Sequence, residues 1–158
     1  MKNLTSDESL LSDLSASYLA FFDAQRRFFA LQTDRVAIIK MALLQGKTDV
    51  AMYLIQYMSG NELFALFERL LPYAVRMHRY THATREAILK MPKDAVLAQI
   101  EAAIEPYLAN GTYDEYRRVL ELCEHLDAEM TQRLARRAAA HSDPDIREAG
   151  EDYLNKNA

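Results

Sequence analysis

The sequence predicts an all-α chain, and three observations carry that prediction. Apolar residues recur at helical spacing, and no segment alternates at period two long enough to read as a strand. Only four glycines and four prolines interrupt 158 residues, which disfavours many short strands and turns and favours long helices. Helix-start signatures, in which Ser or Thr is followed three residues later by Glu, occur at Thr5/Glu8, Ser59/Glu62 and Thr112/Glu115.

The elements follow in order. Leu11, Leu14, Tyr18, Phe21, Phe22, Phe28 and Phe29 make a broad stripe over residues 7–31, the longest expected helix, ~37 Å at 1.5 Å per residue. Further helices are expected at about 34–45, 48–58, 61–78, 80–91, 94–109, 113–125, 128–141 and 144–156. Pro72 falls inside one of them, where it starts, kinks or divides it. Asp127 is placed to cap the helix after it. Ser142/Asp145 is a weaker capping pair, with Asp143 a candidate N-cap and Pro144 at the first helical position, where its missing N–H does no harm. Gly46, Gly60 and Asn110-Gly111 mark expected helix ends, each suited to a left-handed C′ residue.

Length and composition place the chain as one soluble globular domain, 1–158, with half its residues apolar. Net charge is −4, unevenly spread: residues 1–79 carry a net +1 and residues 80–158 a net −5. Such a balance makes nucleic acid, whose affinity rests on phosphate neutralisation, an unlikely default partner. The single cysteine, Cys123, rules out an intramolecular disulfide and the Cys-rich zinc frameworks. A start of Met1-Lys2-Asn3-Leu4 is not a signal peptide, and no apolar run reaches the ~20 residues of a membrane span. The expected location is cytoplasmic.

The helices also carry a period. Asp145-Ile146-Arg147-Glu148-Ala149 lies 30 residues after Glu115-Tyr116-Arg117-Arg118-Val119, 62 after Ala83-Thr84-Arg85-Glu86-Ala87 and 96 after Asp49-Val50-Ala51-Met52-Tyr53. Arg85, Arg117 and Arg147 fall in register, and the first unit has Ala51 there. The stretch Ser142-Asp143-Pro144-Asp145-Ile146-Arg147-Glu148-Ala149-Gly150-Glu151-Asp152-Tyr153-Leu154 resembles the start of a HEAT-type helical repeat, although Gly150 stands where such repeats usually carry alanine.

That resemblance implies an α-solenoid of HEAT-like helix pairs over 47–158, capped by N-terminal helices over 1–46, with the three arginines forming a ladder to carboxylates of neighbouring units. The alternative is an irregular helical bundle. It also implies a bacterial-type protein-binding module (adaptor, inhibitor or immunity-type protein) engaging another protein through a curved face. HEAT-like nucleic-acid binding is the alternative function.

The candidate partner-binding residues are Arg76, His78, Arg79, Tyr80 and His82, in the one local basic run, since Arg, Tyr and His suit an acidic partner or phosphate. His78, His82 and Glu86 share a helical face, but Arg76, Arg79 and Arg85 around them oppose a cation, so no metal site is expected and the histidines read as a surface pair. Arg133, Arg136 and Arg137 read as a solvated face. Cys123 and His125 are two apart and point to different faces, so Cys123 reads as a buried, inert thiol. Glu101/Glu105 and Glu121/Glu124 are expected on solvated faces. Met52, Tyr53, Tyr57, Met58, Phe64 and Phe67 are expected mostly in the core, any exposed part serving a partner. No Gly-rich phosphate loop or nucleophile elbow is present, so no catalytic residue, no cofactor and no small-molecule ligand are expected, and the chain reads as a non-enzyme.

Overall fold

A computed structural model of the chain describes residues 4–31, 34–76 and 79–156, with side chains from Asp7 onward. The described residues form ten helices and no strand: α1 (Leu4–Ala30), α2 (Arg35–Leu44), α3 (Thr48–Ile55), α4 (Gly60–Phe64), α5 (Phe67–Val75), α6 (Thr81–Leu89), α7 (Lys93–Leu108), α8 (Tyr113–Glu124), α9 (Ala128–Ala139) and α10 (Pro144–Lys156). The fold is all-helical.

Several helix starts sit where side-chain chemistry puts them. Ser59 Oγ accepts from Glu62 N at 3.4 Å, and Glu62 Oε2 accepts from Ser59 N at 3.0 Å. Thr112 and Glu115 repeat this reciprocal arrangement at 3.4 and 3.1 Å. Asp127 Oδ1 takes Met130 N at 2.7 Å, and Asp143 Oδ1 takes Asp145 N at 2.9 Å with Pro144 opening α10. Of the Thr5/Glu8 pair, the Thr5 side chain lies outside the described ones, and α1 already begins at Leu4. Gly46 ends α2 at φ +72°, the left-handed conformation that suits glycine.

Gly60 and Gly111 need a correction, because neither has positive φ. Gly60 is the first residue of α4, and a Cβ there would collide with the Lys90 carbonyl at the end of α6. It is a site of close backbone approach, not a helix end. Gly111 follows α7, and a Cβ there would strike the Tyr107 carbonyl.

The helix expected over 61–78 is two. The chain leaves α4 through Ala65 and Leu66 and re-enters at Phe67, with Leu66 N donating to Leu63 O at 2.8 Å. Leu63, Leu66, Phe67, Leu70 and Leu71 are all buried across the break, so the apolar period runs straight through it. Pro72 does not cause the break. It lies inside α5, where it offers no N–H to the Glu68 carbonyl.

A continuous core runs from Phe28 and Ile39 through Ile55, Leu70, Ile88, Ile100 and Leu120 to Ile146 and Tyr153. Helices α9 and α10 make the most extensive pairing. There Gly150 is buried, and a Cβ on it would stand 2.6 Å from the Ala135 carbonyl and nearer still to Ala139 N. Helices α5 and α10 both pack on α8, and α5 also packs on α6.

Polar cross-links join helices that are one pair apart in the chain. Asp49 at the start of α3 holds Arg79 at 2.7 Å. From α6, Arg85 reaches Glu121 in α8 at 2.8 Å; from α8, Arg117 reaches Asp152 in α10 at 3.3 Å. Between α7 and α9, Glu101 pairs with Arg133, and Glu105 takes two bonds from Arg137 at 2.6 and 2.8 Å. Lys156 closes on Glu124 at 2.5 Å. These separations run from 30 to 36 residues, whereas the Arg35–Glu62 and Arg76–Glu115 pairs lie outside that range, at 27 and 39.

Helix α1 differs from all of this. Every residue from Asp7 to Ala24 is exposed. It touches the body near its C-terminal end, where Phe21 and Phe29 lie edge-on to Tyr53 and Tyr57 of the α3 region, at 5.0 and 6.0 Å between ring centroids, and Phe28 is buried. Residues 7–24 therefore do not cover the packed helices as a cap would.

Candidate partner-binding surface

The predicted Arg76–His82 segment joins α5 to α6, and His78 lies outside the described residues. Its charges face carboxylates of this same chain. Arg76 is 3.7 Å from Glu115 and lies over the Tyr107 ring at 5.2 Å. Arg79 pairs with Asp49 and stacks on Tyr80 at 4.7 Å, and the Tyr80 hydroxyl donates to the same Asp49 carboxylate. Burial and that carboxylate push the Tyr80 phenol above its usual range, outweighing the nearby Arg79. His82 is largely in solvent beside Glu86 at 3.3 Å. The segment is thus a neutralised joint, which fastens α6 to α3 and the end of α5 to α8.

The register arginines divide. Arg85 is the most enclosed: besides Glu121 it donates to the Ala74 carbonyl at 3.0 Å and the Arg118 carbonyl at 2.9 Å, so one guanidinium ties α5, α6 and α8. Burial works to raise the Glu121 carboxyl, but Arg85 and Arg118 outweigh it and hold the group below the ordinary carboxylate range. Arg117 lies over Tyr113, bonded to its hydroxyl, and reaches Asp152. Arg147 needs a correction: its guanidinium donates to the carbonyls of His141 (3.0 Å) and Ser142 (2.7 Å), clamping its own entry turn with no carboxylate in an ion pair among the described residues.

A cleft of about 670 Å³ opens between α2 and α5. Leu43 and Leu44 line one wall, and Glu68, Arg69, Pro72, Tyr73 and Arg76 line the other. Leu44 is 69% exposed and Met41 on the same helix 51%. A smaller depression beside it shares Glu68 and Arg69 and adds Lys40 and Gln99. Arg69 makes no ion pair within 4.0 Å among the described residues, and neither does Lys40. The result is an apolar wall edged by two cations, Arg69 and Lys40, beside Glu68 and the Glu115-paired Arg76. Arg76 is the one predicted residue that contributes to it. Arg69 and Tyr73, at i and i+4 on α5, share the face opposite the buried Leu70, Leu71, Ala74 and Val75, and Arg76 follows just past the helix end.

The remaining candidates resolve simply. Cys123 is fully buried, and burial pushes its thiol up to about 12, far from the thiolate a nucleophile needs. Glu101 and Glu105 are exposed and engaged by Arg133 and Arg137. No group of three His, Cys, Asp or Glu among the described residues is arranged to hold a metal, and none of these helices is long and apolar enough to cross a membrane. Of the aromatic–methionine zone, Met52, Met58 and Phe67 are core, and Tyr57 is 55% exposed. No protein-family model, curated protein or solved structure matches the chain.

Proposed function

We propose that the chain is a protein-binding module, without enzymatic activity, built as a stack of HEAT-like helix pairs and acting in the cytoplasm as an adaptor, inhibitor or immunity-type protein. The recurrence of cross-links between helices one pair apart, at separations of 30 to 36 residues, supports the stacked reading. The single observation that carries the binding reading is the α2/α5 cleft. Its apolar wall, Tyr73, and two arginines are the residue types in which interface binding energy concentrates. The chemistry it suits is a helix or extended segment of a partner that offers apolar side chains flanked by Asp or Glu.

The test is site-specific photo-crosslinking in the native cell from positions 44 and 73. The reading expects both positions to capture the same protein, and Arg69→Glu to weaken capture strongly without changing the melting temperature by more than a few degrees. Capture of nothing, or capture indifferent to the charge reversal, contradicts it. Nucleic-acid binding is the rival reading, which the basic edge at Lys40, Arg69 and Arg76 keeps in play. A salt series with single- and double-stranded oligonucleotides separates the two, because phosphate-driven affinity falls steeply with salt.

A further inference from the structure

Arg69 is the exception among the arginines of this chain. Each of the others meets a carboxylate, a carbonyl or a side-chain amide of the protein itself. Arg69 stands exposed on α5, and among the described residues its guanidinium has no hydrogen bond, ion pair or ring contact. Lys40 on α2 is a similar case in a more enclosed place. It is half-buried, and its ammonium meets no acceptor among the described residues.

These two side chains line one depression of about 320 Å³, together with Gln99 of α7 and the turn 64–67 between α4 and α5. Three separate parts of the chain thus bring two unpaired cations and an amide to one place. Glu68 is the one acid in the lining; it is exposed and also borders the larger cleft. The donors complement one another. A guanidinium presents a planar fork to two oxygens, an ammonium presents three donors from a point charge, and an amide adds two more. A half-buried ammonium without a counter-charge carries a desolvation cost that an anion would relieve.

We infer that the Lys40–Arg69–Gln99 depression binds a small free oxyanion, the phosphoryl group of inorganic phosphate or of a phosphomonoester. A carboxylate has two oxygens, which the arginine fork alone satisfies. A phosphoryl group carries more than one negative charge near neutral pH and three or more oxygens, so fork, ammonium and amide can engage it together. The volume lies at the small end of ligand sites, which suits a ligand of this size. The inference stands apart from the protein-binding reading, because a free anion needs no partner protein.

Titration of the full chain with inorganic phosphate, at ionic strength held constant with chloride and followed by backbone amide shifts, tests this. The expected result is saturable binding with a dissociation constant of about 1 mM or below, with the moved amides confined to the neighbourhood of residues 40, 64–69 and 99. Arg69→Gln and Lys40→Gln each weaken it by roughly 10-fold or more, through loss of charged hydrogen bonds. Arg136→Gln removes a cation bonded to Gln132 elsewhere on the surface and leaves the affinity unchanged. Without phosphate, Arg69→Gln melts with the parent, since Arg69 holds nothing in the fold; phosphate raises the melting temperature of the parent and not of the variant. Absence of saturation up to tens of millimolar, shifts spread over the surface cations at large, or equal affinity in Arg69→Gln and Arg136→Gln overturns the inference. The readout involves no protein partner, so its failure is distinct from a failure of capture at positions 44 and 73.

Discussion

Helices α1 and α8 carry apolar stripes of the same kind, and their fates are opposite. In α8, Tyr116, Val119, Leu120, Leu122 and Cys123 are all buried, and α5, α7, α9 and α10 surround the helix. In α1, Leu11, Leu14 and Tyr18 stand in solvent. Periodicity reports that a helix has an apolar face; it does not report what that face meets. The difference lies in what each helix is tied to. α8 is held on one side by Arg85 through Glu121 and the Arg118 carbonyl, and on the other by Asp152 through Arg117. α1 is tied by aromatic edges at its C-terminal end and a 3.4 Å bond from the Tyr53 hydroxyl to Gln25.

The sharpest way to break this comparison is to truncate matched leucines. Leu120→Ala removes a fully buried side chain and is expected to cost about 2–5 kcal/mol. Leu14→Ala, at an exposed position, is expected within about 0.5 kcal/mol of the parent. Denaturant titration of both variants checks it; equal losses would mean that α1 belongs to the same cooperative core.

Next in size is Gly150→Ala. In the HEAT-type pattern that substitution restores the usual residue, and here it drives a methyl into the α9 backbone at Ala135 and Ala139. A loss of about 1–3 kcal/mol is expected, confined to the α9–α10 pair. A stabilised variant would show that the two helices are free to move apart.

Arg85→Met should cost about 1.5–3 kcal/mol, since it strips charged hydrogen bonds from a partly buried Glu121. It should also change the response to acid. Glu121 is held below its ordinary value of 4.5 in the folded chain. Its contribution is therefore fully present above the unfolded value and is lost as pH falls through the folded one. Glu62 behaves alike: burial raises it, but Ser59 and Arg35 prevail and hold it low. In Arg85→Met the acid-side loss of stability below about pH 4.5 should shrink, as read from melting temperature against pH; an unchanged profile would mean that Glu121 does not contribute. The smallest expected effect is Arg147→Ala, about 1 kcal/mol and local to the entry of α10, because its bonds go to two carbonyls of that turn.

Much of the fold could be read from local chemistry. The caps at Ser59, Thr112, Asp127 and Asp143 and the left-handed Gly46 are decided within four residues, and the sequence displays them. The break at Ala65–Leu66 was hidden because Leu63, Leu66, Phe67 and Leu70 keep helical spacing through it. Gly60 and Gly150 looked like a helix end and a departure from a pattern; both are close approaches to segments 30 and 11–15 residues away along the chain. The site was legible only in part for the same reason. Arg76 and Arg79 are basic in sequence and neutralised in space, by Glu115 and Asp49, which lie 39 residues downstream and 30 upstream. The cleft residues Leu44 and Arg69 gave no signal until α2 was seen beside α5.

The central claim is that one chain contains a tightly cross-linked helical body and a helix, α1, that this body holds only near its C-terminal end. Amide hydrogen exchange, resolved by residue, tests it most directly. The account predicts that residues 7–20 exchange fastest, while α8, α9 and α10 stay slowest. Protection that is uniform along the chain would contradict it.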